Sequence, residues 1–209
     1  MHSYLIIVKR KEDYHSGQHE EIWLPTTTDE IEQCLHRLGC SLAKQDFDIV
    51  YSGFGYAEID NKVHCYSDIL ALNQIAKMLQ DFKGTPGRLC AELVYRGCED
   101  EYEVATCLSN RSKLVVLEQY KSITDYGKFC FYKDFWESDL CKRMNYKRYE
   151  DDLYYDASYP LWKRFNDCAM EHLKGKSFQF TPYGLVYEDA VPCEELEAPK
   201  CFGDIVVPF

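Results

Sequence analysis

The sequence predicts an α+β fold, with strand-like segments near both ends and helical patterning between them. Three observations carry that prediction. The N-terminal run SYLIIVK, and the two short runs inside SFQFTPYGLVYED, are rich in β-branched and aromatic residues and bounded by turn residues. Between them, several segments repeat apolar residues at helical spacing. The chain has 209 residues, 46% of them hydrophobic, with 17 Tyr, 11 Phe and 3 Trp. It is long enough to bury real cores and far too aromatic for a disordered acidic tail.

Residues 1–66 read as a small α/β domain. SYLIIVK is a strand, KEDYHSGQHE a polar loop, and EIWLP a second strand ended by Pro25. In TTTDEIEQCLHRLG, Thr27 or Thr28 can cap a helix whose first turn holds Asp29 and Glu30. Ile31, Cys34, Leu35 and Leu38 form its apolar stripe, and Gly39 stops it. FDIVYSGFGYAEI returns to strand character.

Residues 67–121 read as a helical middle domain. Ser67 is placed to cap SDILALNQIAKMLQDF, which carries Ile69, Leu72, Ile75, Ala76 and Leu79 on one face. GTPGRLCAELVYRG closes on Gly97, EDEYEVATCLSN is a third helix, and SKLVVLEQY is a further helix or a buried strand. Residues 122–190 read as an α/β C-terminal domain. DYGKFCFYKDFWES gives no single pattern there, whereas YPLWKRFNDCAMEHLKG spaces Leu161, Phe165, Cys168, Ala169 and Leu173 as a helix ended by Gly175. Residues 191–209, with Glu194, Glu195, Glu197 and three prolines, read as an extended acidic tail.

Acidic side chains outnumber basic ones 35 to 24, for a formal charge of −11. That balance argues against a general basic surface for nucleic acid or anionic membrane. YLIIV is followed at once by KRKED, so it fits neither a spanning helix nor a signal segment, and a cytoplasmic location is expected. The eleven cysteines are odd in number and contain no C-x-x-C. They are expected to be small buried hydrophobes in a reducing compartment, not a disulfide framework or zinc site.

No catalytic constellation emerges. His15 and His19 flank Ser16 and Gly17 in a polar loop, and the adjacent His64 and Cys65 would need a distant partner. Cys90 lies in apolar helical pattern, and GFGY at 53–56 lacks phosphate-loop spacing. No cofactor, metal or enzymatic activity is expected. A cysteine-dependent enzyme is the competing reading, marked by loss of function on thiol alkylation without unfolding.

What remains is the pattern of acids, at 20–21, 29–32, 99–103, 134–139, 150–156 and 188–197. Helical turns rise about 5.4 Å, so acids at i, i+3 and i+4 fall near the spacing of phosphates along a DNA strand. Two clusters are the candidate partner-binding surface: Glu99, Asp100, Glu101 and Glu103, and Glu150, Asp151, Asp152 and Asp156 within YEDDLYYD. Tyr154 and Tyr155 are expected to pack rather than bind. The bland explanation of the first cluster is helix-dipole compensation in a first turn, worth about 0.3–1 kcal/mol per exposed acid.

The order of segments resembles the ArdA antirestriction family of mobile elements and phages. The likeness rests on Ile31 to Gly39, Leu72 to Leu79, Tyr154 to Asp156 and Phe180 to Tyr187, and spans residues 20–187. The chain departs from the pattern in its longer last third, its cysteines, the basic CKRMNYKRY stretch and the acidic tail. The resemblance implies an elongated three-domain homodimer that mimics duplex DNA. It implies a partner in the methyltransferase and specificity subunits of type I restriction–modification enzymes. An anti-CRISPR or other regulatory inhibitor using the same acidic surface is the alternative.

Overall fold

In a computed structural model of the chain, residues 3–11, 17–110, 114–137 and 161–188 are described. The α+β class holds, with two three-stranded antiparallel sheets and helices packed on them. The second acidic cluster, Glu150 to Asp156, the basic stretch and the tail all lie outside the described residues.

In the first sheet, β1 (Tyr4–Arg10) is central, flanked by β2 (Glu20–Leu24) and β3 (Phe47–Gly53). Tyr4, Ile6 and Val8 alternate inward, as a half-buried strand requires. Helix α1 (Thr28–Arg37) starts with a capping box: the Thr27 hydroxyl accepts from Glu30 N–H while the Glu30 carboxylate accepts from Thr27 N–H. Its buried residues are Ile31 and Leu35, and Gly39 lies just beyond its end at φ 69°. The stretch after β3 was expected to stay extended, but Ala57–Asp60 forms a short helix, α2. Asp60 organises the turn before it. Its Oδ1 accepts from Ser52 Oγ and Phe54 N–H, and its Oδ2 from Gly55 N–H.

Three helices follow: α3 (Ile69–Gln80), α4 (Pro86–Arg96) and α5 (Glu101–Ser109). The expected face of α3, Ile69, Leu72, Ile75, Ala76 and Leu79, is buried in full. One hydrophobic cluster takes in side chains from both sides of the 66/67 position, from Ile6 and Leu24 to Leu72, Leu93 and Val104. Asn73 fastens α3 to the β2–α1 loop: Thr26 N–H donates to its Oδ1 at 2.8 Å, and its Nδ2 donates to Thr26 O at 2.9 Å. α4 ends on Gly97 in the left-handed region, as its sequence position predicts.

The segment SKLVVLEQY resolves to a strand, β4 (Leu114–Leu117), which pairs with β6 (Gly184–Glu188) rather than with the middle helices. β5 (Phe178–Thr181) flanks β6 on the other side, joined by the expected turn. α4 sits between the two sheets. Its Leu89 and Leu93 belong to the large core, while Ala91 meets Leu114 and Val186.

The stretch that gave no single pattern forms a fifteen-residue helix, α6 (Ile123–Glu137). It has no clean stripe because it packs on two sides. Tyr126, Phe129 and Cys130 face the second sheet's core, while Phe131 and Tyr132 meet Phe165 of α7 (Leu161–His172) at ring separations of 5.5 and 6.1 Å.

Burial pushes Tyr120 up to about 12 and raises Tyr126 further. A folded-state value above the ordinary tyrosine value favours the neutral ring in the native protein. The stabilising contribution is therefore complete below about pH 10 and is lost as pH rises toward 12. An alkaline titration followed by tyrosinate absorbance is expected to show a late phase coinciding with loss of helical circular dichroism. Simple titration of all tyrosines near their ordinary value would refute it.

Candidate acidic cleft

The first acidic cluster sits where the N-termini of α3 and α5 meet. Sequence order sets this up. Asp68 and Asp100 each precede a helix with non-helical backbone and a short carboxylate able to reach the first free N–H groups. Asp68 Oδ1 accepts from Leu70 N–H at 2.8 Å. Asp100 Oδ1 accepts from the N–H groups of Tyr102 and Glu103, both at 2.9 Å. Ser67 was expected to cap α3. Its hydroxyl instead accepts from His64 N–H at 2.9 Å and donates to Glu101.

The four predicted acids do different work. Glu101 is 7% exposed and points inward. Asp68 N–H donates to its Oε1 at 2.7 Å and Ser67 Oγ donates to its Oε2 at 3.2 Å, so one buried carboxylate ties α5 to the start of α3. Its expected place on the contact surface is therefore corrected: both oxygens are turned to the chain's own donors, away from solvent. Glu103 Oε2 accepts from Glu99 N–H at 2.7 Å, which braces the turn while leaving the residue exposed. Glu99 and Asp100 are exposed as well.

Sequence reasoning passed over Asp68 and Tyr102. The Tyr102 hydroxyl donates to Asp68 Oδ2 at 2.8 Å, and that bond, with the acids around it, raises its pKa. The Ser-Asp pair ahead of the apolar stripe was the available signal, since either residue suits an N-cap. Ser67, Asp68, Asp100, Glu101 and Tyr102 wall a cleft of about 420 Å³, with Lys11, Leu42, Tyr66 and Leu70 on its other sides. Tyr66 is 75% exposed and Tyr102 55%.

No protein-family model matches this chain, and no curated protein matches it.

The electrostatics follow from the partners. Among the described residues, no lysine, arginine or histidine forms an ion pair with Asp68, Glu99, Asp100, Glu101 or Glu103. Three of these carboxylates, Asp68, Asp100 and Glu101, line the cleft with Lys11 and two helix N-termini, each end worth about half a positive charge. The N-terminus of α4 is similarly occupied by the chain itself: Thr85 caps it, and the Thr85 hydroxyl donates to Glu118. The N-terminal N–H groups of α3 and α5 are thus capped by the chain's own carboxylates, and those of α4 by the Thr85 hydroxyl. Among the described residues, no group of three His, Cys, Asp or Glu side chains is placed to hold a metal ion. No described helix is long and apolar enough to cross a membrane.

Proposed function

We propose that the chain is a non-catalytic antirestriction protein that presents carboxylates where a DNA-binding groove expects phosphates. Its target, in this reading, is the methyltransferase and specificity core of a type I restriction–modification enzyme, with inhibition by competitive occupancy. The observation that carries the proposal is the turn at 99–103: Glu99, Asp100 and Glu103 are exposed and form no ion pair among the described residues. A basic groove that normally releases phosphate counterions would gain from the same exchange here. An elongated three-part body, paired into a homodimer, would extend such a surface along the groove.

The test is displacement. A purified type I methyltransferase is held on labelled duplex DNA and the protein is titrated in at two salt concentrations. Displacement that weakens sharply with salt is expected, because exposed charge interactions are screened within about 10 Å at 0.1 M salt. Glu99→Lys is expected to weaken displacement severalfold, since Glu99 is exposed and its side chain makes no bond that the fold uses. No displacement at either salt removes the target and the proposal with it.

A further inference from the structure

Two large aromatic side chains stand on the acidic cleft without being packed away: Tyr66 and Tyr102 both line it, 75% and 55% exposed. The His64 ring stacks on one face of Tyr66, with centroids 5.4 Å apart, and the other face is left to solvent. Each helix start supplies a carboxylate. Asp68 and Asp100 commit Oδ1 to the capping N–H groups, and Asp68 Oδ2 accepts from the Tyr102 hydroxyl. Asp100 Oδ2 meets no donor among the described residues. Leu70, 41% exposed, adds an apolar wall. An open aromatic face and an uncommitted carboxylate oxygen around a cavity of about 420 Å³ set this cleft apart from a surface run of acids. They suit a cation carried on an apolar stem.

We infer that this cleft receives the guanidinium of an arginine side chain presented by the partner protein. The inference rests on reading the site as a surface for a basic partner, but not on which partner that is. The walls select guanidinium over ammonium. A guanidinium is planar and weakly hydrated, so it can lie on the open face of Tyr66 while its edge donates to carboxylates on two sides. Asp100 Oδ2 is uncommitted, and Asp68 Oδ2 keeps a lone pair beside the one that takes the Tyr102 hydroxyl. The aliphatic stem then runs along Leu70. An ammonium is a compact, strongly hydrated point charge and gains less from such a stacking face. Lys11 works against any incoming cation. It lines the same cleft and forms no ion pair among the described residues, so its removal should tighten binding.

The probe is arginine capped at both ends, titrated into the full nitrogen-labelled chain and followed by amide chemical shifts. Saturable binding in the millimolar range is expected, as suits a single side chain. The largest shifts should fall on the amides of Leu70, Tyr102 and Glu103, which donate to Asp68 and Asp100. Capped lysine should bind severalfold more weakly, and capped citrulline, of the same shape without the charge, not at all. Asp100→Asn keeps the cap, because asparagine suits that position as well as aspartate, and Tyr66→Ala removes only an exposed ring. Each should weaken capped arginine about threefold or more, whereas Lys11→Gln should tighten it about twofold. Shifts that grow linearly over all exposed acids, equal binding of capped lysine, or affinity unchanged in both Asp100→Asn and Tyr66→Ala would each overturn the inference. Arginine binding without displacement of the methyltransferase from DNA supports the cleft and removes only the type I target. Displacement without arginine binding overturns the cleft assignment alone.

Discussion

Gly127→Ala is expected to remove about 3 kcal/mol or more of stability. Gly127 is buried in the first half of α6, and a Cβ built on it falls inside the Phe165 carbonyl of α7. The obstruction is backbone, so no rotamer change relieves it, and the two helices would have to separate. Separation would open the aromatic contacts of Phe131 and Tyr132 with Phe165, the hydrogen bond from Thr124 Oγ1 to Asn166 Oδ1, and the contact of His172 with Asp134. Gly97→Ala is the informative comparison. There a Cβ meets nothing within 4 Å, but the backbone lies at φ 64°, so the cost is conformational and about 1 kcal/mol. Urea unfolding of both variants beside the wild type checks the ranking. Equal losses would mean that the helices slide apart freely and that their close approach carries little of the C-terminal packing.

That glycine also shows why part of the fold was legible in the sequence and part was not. A single-faced element announces itself: the stripe of α3, the capping box of α1 and the alternation of β1 each follow from one burial direction. α6 has two burial directions and a glycine placed for close helix packing, so its pattern dissolves although its helix is long. The strand β4 was ambiguous for a related reason. Its four residues lie between a helix on one side and a sheet partner seventy residues later, and nothing local encodes that partner. Within the acidic cleft, charge was visible but direction was not. Glu101 and Glu103 have the same side-chain chemistry two positions apart, and only the helix start at Asp100, with the position of Ser67 and Asp68 across the cleft, decides that one turns inward and the other out.

Separating those roles yields the second large effect. Glu101→Ala is expected to cost about 3 kcal/mol, because it removes a buried carboxylate that accepts from two donors and leaves Asp68 N–H and Ser67 Oγ facing an apolar gap. Glu101→Gln should fall between that variant and the wild type. Its carbonyl oxygen can still accept from Asp68 N–H, but its amide nitrogen then faces the Ser67 hydroxyl as a donor. Glu99→Ala is expected to stay within about 0.5 kcal/mol of the wild type, since its side chain is exposed and caps nothing. The order should invert in the displacement assay. On the proposed reading, Glu99→Ala is expected to displace the type I methyltransferase less well, whereas Glu101→Ala, tested well below its own unfolding midpoint, is expected to match the wild type. A Glu101→Ala chain as stable as the wild type would show that the two helix N-termini are held together by packing alone. If that variant also lost displacement while folded, the buried carboxylate would belong to the binding surface after all, through its charge rather than its contacts.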